Sequence, residues 1–418
     1  MAGAGQPWYM PLTWPVGHVL TAMKYAKDGL PDPSTTDKEK EDTSEWYEIT
    51  SSDTPDTKVK KQSRQNGSKR GGARRRKPTK NQPKKKKNIP VVPMPIATPE
   101  LDIIGHLTSF AGATRSFLLA YFCIYCIHGG DDGFGYPAFG AAKEWSFDWM
   151  WPLVVRNVLA TFLIAGFWDW FLYFSPISKQ LKPWKLNPMY PSLKQIKHDA
   201  CMTTLASICG SGVEIWICHA YASGLFPMQR TIAEHPYYTL MWAVTITHWR
   251  IPHFWLLHRS MHPWKKSWIP RSVDPGRFLY KHVHSLHHKS HNPTAFSGTN
   301  MHPIEATGYY SAALICLVGV CHPTIALGCI IDCAVGAWLG HDGFQWPGSG
   351  DYFHQLHHQH FDCNFGAMHV PIDKWLGTFA AERADIKQIW TDQKAGATAN
   401  KEDGFEVHES SKIDNGVQ

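Results

Sequence analysis

Apolar and polar positions divide the chain into three parts. Residues 31–98 are charged, proline-dotted and free of the periodic apolar positions that build a helix or strand. Five apolar stretches follow, at 116–127, 149–174, 201–222, 237–257 and 306–339, and from about residue 392 the chain is polar again. A bilayer core takes about 20 apolar residues per helix, so three or four of these stretches predict spans, and 306–339 is long enough for two. Arg156, Asp169 and Glu214 interrupt them, as in helices that face protein rather than lipid. Trp149, Trp151, Tyr173, Tyr237 and Tyr238 stand near the ends of the stretches, where an interfacial aromatic belt belongs. The pattern predicts an all-α integral membrane protein; a soluble helical bundle with a large core is the competing reading. The expected organisation is a largely disordered N-terminal segment at 1–98, a membrane-embedded domain at 99–391 and a disordered tail at 392–418, since the flanks hold too little apolar surface to offset chain entropy.

Charge sharpens this picture. The formal net charge is +7, yet residues 58–87 hold fifteen Lys and Arg and no acid, which leaves 27 basic against 35 acidic residues elsewhere. Basicity therefore belongs to an arm. A polybasic arm ahead of the first span favours anionic lipid headgroups and a cytosolic N-terminus. No aromatic residues interleave its lysines and arginines as stacking platforms do, which argues against nucleic acid. The N-terminal stretch lacks the basic start, apolar run and small-residue cleavage site of a signal peptide, and the final "NGVQ" is not a luminal retrieval signal. The ten cysteines lie mostly in apolar stretches and read as free thiols; the C-x-x-C of Cys123 and Cys126 has no polar setting for redox or zinc chemistry.

Candidate chemistry is concentrated in histidine. "HRSMH" supplies His258 and His262; "HSLHH" supplies His284, His287 and His288; "HQLHH" supplies His354, His357 and His358. The last two repeat the offsets 0, 3 and 4, which on a helix put three imidazoles on one face. Neutral imidazole is a good donor for iron, zinc, copper or nickel. A catalytic zinc uses three protein ligands and a structural zinc four, so eight histidines point to two metals. No clustered carboxylates or thiolates stand beside them, and a nearly all-nitrogen set suits a redox metal such as iron, with zinc left open. A membrane zinc-binding or transport protein is the reading from a different class. Transport ligands, however, line a path across the bilayer, whereas these clusters sit mainly outside the long apolar runs.

In this order and distance, the three segments resemble the histidine boxes of the fatty acid hydroxylase and sterol desaturase superfamily. Further marks agree: "LYKHVHSLHH" through the second box, "MHPIE" after it, "GHDG" before the third, and "FDCNFG" and "DKWLGT" after that. The resemblance covers about 249–378. It implies transmembrane helices carrying a cytosolic, histidine-rich helical cap with a non-haem diiron centre, in a multi-pass protein of the endoplasmic reticulum membrane. His258, His262, His284, His287, His288, His354, His357 and His358 would be ligands, His341 would occupy the place of a further one, and His302 stands where the family carries histidine. His248, His253, His282, His291 and His360 match no box position. "THWRIPHFWLLHR" departs from the family in lacking an acidic residue and an aromatic pair ahead of the first box.

The resemblance also implies dioxygen chemistry on a membrane lipid, with electrons from a cytochrome b5-type donor fed by an NADH reductase. No flavin or nicotinamide fingerprint is visible, "GSGDYF" being too short. "HDG" resembles the sterol C-5 desaturases, while "NPTAFSGTNMHPIE" and the long arm do not. The expected reaction is oxidation of a sterol-pathway lipid, with squalene 2,3-epoxidation as the sharpest reading. Sterol C-5 desaturation, C-4 methyl oxidation and hydroxylation of an acyl or sphingoid chain are the alternatives.

Overall fold

The computed structural model describes residues 103–128, 139–186, 190–264, 273–290, 292–346, 351–367 and 370–381. The basic arm, the tail expected at 392–418 and His291 lie outside the described residues. What is described is helical, with no strand; an isolated antiparallel bridge pairs Lys185 with Phe344.

The principal helices are α1 (Ile103–Phe122), α2 (Phe147–Phe174), α3 (Leu193–Ala222), α4 (Pro236–Ser260), α5 (Pro275–His282), α6 (Pro303–Tyr310), α7 (Pro323–Leu339), α8 (Asp351–His360) and the short α9 (Ile372–Trp375). Their starts follow from local chemistry. Proline, whose missing N–H is no loss in a first turn, opens α4, α5, α6 and α7. The Ser192 hydroxyl accepts from Gln195 N at the start of α3, and the Asp274 carboxylate accepts from Gly276 N and Arg277 N at the start of α5.

Two of these helices, α2 and α3, are long and apolar enough to cross a membrane. That is fewer than the sequence pattern predicts. The 306–339 stretch does not form two spans: it is broken into α6, a 3-10 turn at Ser311–Leu314, one short helical turn and α7, with Val320 at φ 52 where the chain reverses. The expected aromatic belt is also corrected in part. Trp151 and Tyr237 are exposed, but Trp149 and Tyr173 are buried. Tyr173 instead donates its hydroxyl to Pro293 O and Asp342 O, at 3.0 and 2.7 Å, tying the end of α2 to loops around the histidines.

The polar residues inside the apolar helices face protein, as expected. Arg156 on α2 forms a buried pair with Glu214 on α3, joined by Asn157 and Ser211. Asp332 on α7 accepts from Ser116 on α1 and pairs with Arg250 on α4 at 2.9 Å. Breaking such a pair strands a charge in low dielectric, so each fixes the register of its helices. The largest core packs Val213, Ile217, Ile246, Tyr310, Cys316 and Ile325 between α3, α4, α6 and α7. All ten cysteines are free; seven are buried, while Cys126 and Cys201 are exposed.

Candidate metal centre

The N-terminal end of α3, the C-terminal ends of α4 and α7 and the final turns of α2 meet around the histidine segments. His258 stands in the last turn of α4, with His262 just beyond it. His284, His287 and His288 lie on a 3-10 segment, His284–Lys289, and not on the α-helix that the spacing predicts. His341 follows α7, and His354, His357 and His358 lie on α8.

These side chains converge into two groups whose ligand atoms lie within 4.8 Å of one another: His258, His262, His284, His288 and His357 in the first, His287, His341, His354 and His358 in the second. The expectation that each box would offer one face to one place is therefore refined. In the 3-10 segment and in α8 alike, offsets 0 and 4 go to one group and offset 3 to the other. Every predicted ligand is brought in except His302. That residue opens α6, its Nδ1 accepting from Ile304 N, and belongs to neither group. His248 and His253 turn to Val244 O and Ser311 Oγ instead, and the His282 ring lies tilted against that of Phe278, 4.7 Å away.

A metal fits this arrangement on three observations. First, ring orientation is fixed from behind: Nδ1 of His258, His341 and His357 lies 2.6, 2.8 and 2.7 Å from the carbonyls of Phe365, Ala337 and Cys363. A carbonyl only accepts, so Nδ1 carries the proton and Nε2 presents a lone pair. Second, those Nε2 atoms crowd together. His258 to His284 and His284 to His288 are 3.1 Å apart, His288 to His262 3.4 Å, His341 to His287 3.3 Å and His341 to His358 3.1 Å. Ligands about 2.0–2.1 Å from one ion stand roughly 2.9–3.4 Å apart in octahedral or tetrahedral geometry, so these are the edges of coordination polyhedra. Third, Nε2 of His354 and of His357 is buried and bonds no protein group among the described residues.

Buried carboxylates support the site from behind. Glu305 of "MHPIE" accepts from His284 Nδ1 at 2.7 Å, both groups buried. Asp373 of "DKWLGT" accepts from Phe365 N, Gly366 N, Trp255 Nε1 and Thr378 Oγ1, holding the carbonyl that orients His258. Asp342 of "GHDG" gathers Trp168 Nε1, Trp346 Nε1 and Phe344 N beside His341. Asp169, between two π-helical turns of α2, accepts from Ala295 N and Phe296 N after the second box. A carboxylate behind a ligand histidine typically changes metal affinity or activity 10–100-fold. Glu305→Gln is accordingly expected to weaken iron binding by about that factor, read by equilibrium titration with a competing chelator; an unchanged affinity would detach Glu305 from the site.

Burial governs protonation here. It pushes His341 down to about 4, pushes His357 to about 3 and holds His262, His287, His288, His354 and His358 well below the ordinary imidazole value, and at all of these but His341 neighbouring imidazoles add to the effect. The folded protein thus keeps these rings neutral while the unfolded chain protonates them near pH 6.5. Below that pH the unfolded state binds more protons, so stability is full above about 6.5 and declines as pH falls toward 4, by on the order of 1 kcal/mol per pH unit for each such ring. Thermal unfolding of the metal-free protein at pH 7.5 and pH 5.5 tests this, and equal midpoints would contradict neutral buried rings.

Residues 242–378, which hold every histidine of both groups, match the fatty acid hydroxylase family. Curated relatives include cholesterol 25-hydroxylase of Homo sapiens, 32% identical over 117 residues (24% of this chain, 42% of that one). A Delta(7)-sterol 5(6)-desaturase of Gibberella zeae is 30% identical over 132 residues (29% and 40%), and lathosterol oxidase of Rattus norvegicus 31% over 122 residues (27% and 40%). The match spans less than half the length of each of these relatives. No solved structure matches the chain. The matched segment coincides with the helical, multi-histidine site. The segment that carries both histidine groups is thus similar to the fatty acid hydroxylase family and to sterol hydroxylases and desaturases.

Proposed function

We propose that this protein is a membrane-bound oxidoreductase that uses dioxygen and external electrons to oxidise a sterol or related lipid at a pair of non-haem irons. The observation that carries the reading is the convergence of nine histidines into two adjoining groups with polyhedral spacing, four of them held through Nδ1. His258, His262, His284, His288 and His357 would hold one iron, and His287, His341, His354 and His358 the other. Bound ferrous iron would supply dioxygen activation at a position that protein side chains alone cannot provide.

The chain's own residues do the rest. Carbonyls and Glu305 hold each anchored imidazole in the tautomer that offers Nε2. Phe365, whose ring stands 5.0 Å from His262 and 5.3 Å from His357, and Phe361, 4.8 Å from His288, wall the first group against water. Helices α2 and α3 would cross the bilayer, leaving the site at one membrane surface within reach of a lipid that stays in the bilayer and of a cytochrome b5-type donor. An endoplasmic reticulum membrane with the histidines facing the cytosol is part of the same reading, as is the basic arm resting on anionic headgroups.

Among substrates, relatives named as sterol desaturases, a methylsterol monooxygenase and sterol hydroxylases favour sterol desaturation or hydroxylation over squalene epoxidation. A relative named sphinganine C4-monooxygenase keeps the sphingoid alternative in view. The test is turnover by the purified, iron-loaded protein with an electron donor, offered sterols, squalene and sphingoid bases under isotopically labelled dioxygen. A sterol that loses two hydrogens or gains one labelled oxygen supports the reading. Labelled 2,3-oxidosqualene restores the epoxidase assignment, and no dioxygen-dependent product from any of the lipids refutes lipid oxidation.

A further inference from the structure

The second histidine segment is too short and too tightly turned to hold itself. A 3-10 run has poorer hydrogen-bond geometry than an α-helix, and this one gives three imidazoles to two different groups. Its exit, residues 290–300, is fastened elsewhere, on one turn of α3. Asp199, 1% exposed, accepts from Ser290 Oγ at 2.9 Å and Ser297 Oγ at 2.7 Å through Oδ2, and from Asn300 Nδ2 at 2.9 Å through Oδ1. Asn300 Nδ2 also reaches Ser290 Oγ at 2.9 Å, which closes the two ends of the loop on each other. From the preceding turn of α3, Gln195 Nε2 donates to Asn292 O at 2.8 Å.

We propose that Asp199 is a positioning residue for the metal centre: by clamping Ser290, Ser297 and Asn300 together it sets the separation between the second-box imidazoles and the Glu305 that orients His284. Asp199 touches no ligand atom. Its influence passes through Ser290, two residues past His288, on one side, and through Asn300, which leads into α6 and Glu305, on the other. Without the carboxylate, three buried donors lose their shared acceptor, and the loop is free to lengthen between His288 and Glu305. The inference rests on the proposed metal reading and adds a residue of the membrane helix to it.

Cobalt(II), whose visible absorption reports coordination geometry, serves as the probe with the full-length purified chain. Asp199→Asn keeps size and one acceptor oxygen but turns the other into a donor facing two hydroxyls. It is expected to weaken cobalt binding 10–100-fold and to shift the visible bands while leaving helical content unchanged. Should that variant fail to fold, Ser290→Ala with Ser297→Ala removes two of the three contacts and is expected to shift the bands in the same direction. Wild-type affinity and wild-type bands in whichever variant folds would overturn the inference alone. A wild-type chain that takes up no cobalt would overturn the metal reading and this inference with it.

Discussion

His358→Ala is expected to abolish turnover, by at least about a thousandfold, and to lower iron from about two ions per chain to about one, with helical content unchanged. The four-histidine group has the least to spare: His358 Nε2 stands 3.1 Å from His341 Nε2, and its loss leaves three imidazoles from three different segments. Correctly held metal ions contribute several kcal/mol to a transition state, which sets the scale of the loss. Iron analysis and a lipid oxidation assay on the same preparation make the check. Retained turnover would refute the two-iron mechanism, whatever the substrate.

Gly298→Ala is expected to damage the protein severely although no ligand is changed. A Cβ at Gly298 would lie 2.2 Å from Ala337 O, 2.4 Å from Ala337 C and 2.7 Å from Trp338 N, all backbone atoms of α7. A flexible side chain could swing away, but this helix cannot. Trp338 Nε1 donates to Thr299 Oγ1 at 2.8 Å, and His341 follows within one turn. Overpacking a close contact typically costs about 1–3 kcal/mol, and here it also displaces a ligand. The variant should unfold at a lower temperature and bind less iron; wild-type values for both would show that α7 and the 290–300 loop are free to part.

The helices and the converging histidines were largely legible in the sequence, for a shared reason: both are written in short periodicities. His258 with His262, and His354 with His358, are four apart and meet on α-helices as the spacing predicts. The allocation of ligands between two groups was not legible, because the second box is a 3-10 turn whose direction is set by what grips it from outside. Asp199 bonds partners 91 to 101 residues away and Asp169 partners 126 and 127 away, and no local pattern marks such pairs. Tyr173 and Trp149 misled for a related reason. An aromatic residue near the end of an apolar run suits an interface and a buried hydrogen bond equally well, and only the fold decides between them. Within 306–339, apolar content predicts burial correctly, but composition does not show that Val320 takes a left-handed turn.

The division of the second and third boxes between two groups couples them. Both segments give ligands to both groups, so an ion that orders one group also fixes the backbone from which the other is built. Less ordering entropy then remains to be lost when the second ion arrives. Whatever factor the first ion adds to the affinity of the second, the second returns to the first, since linkage is reciprocal. On the proposed two-iron reading, the two positions would form one binding unit, in which filling one favours filling the other.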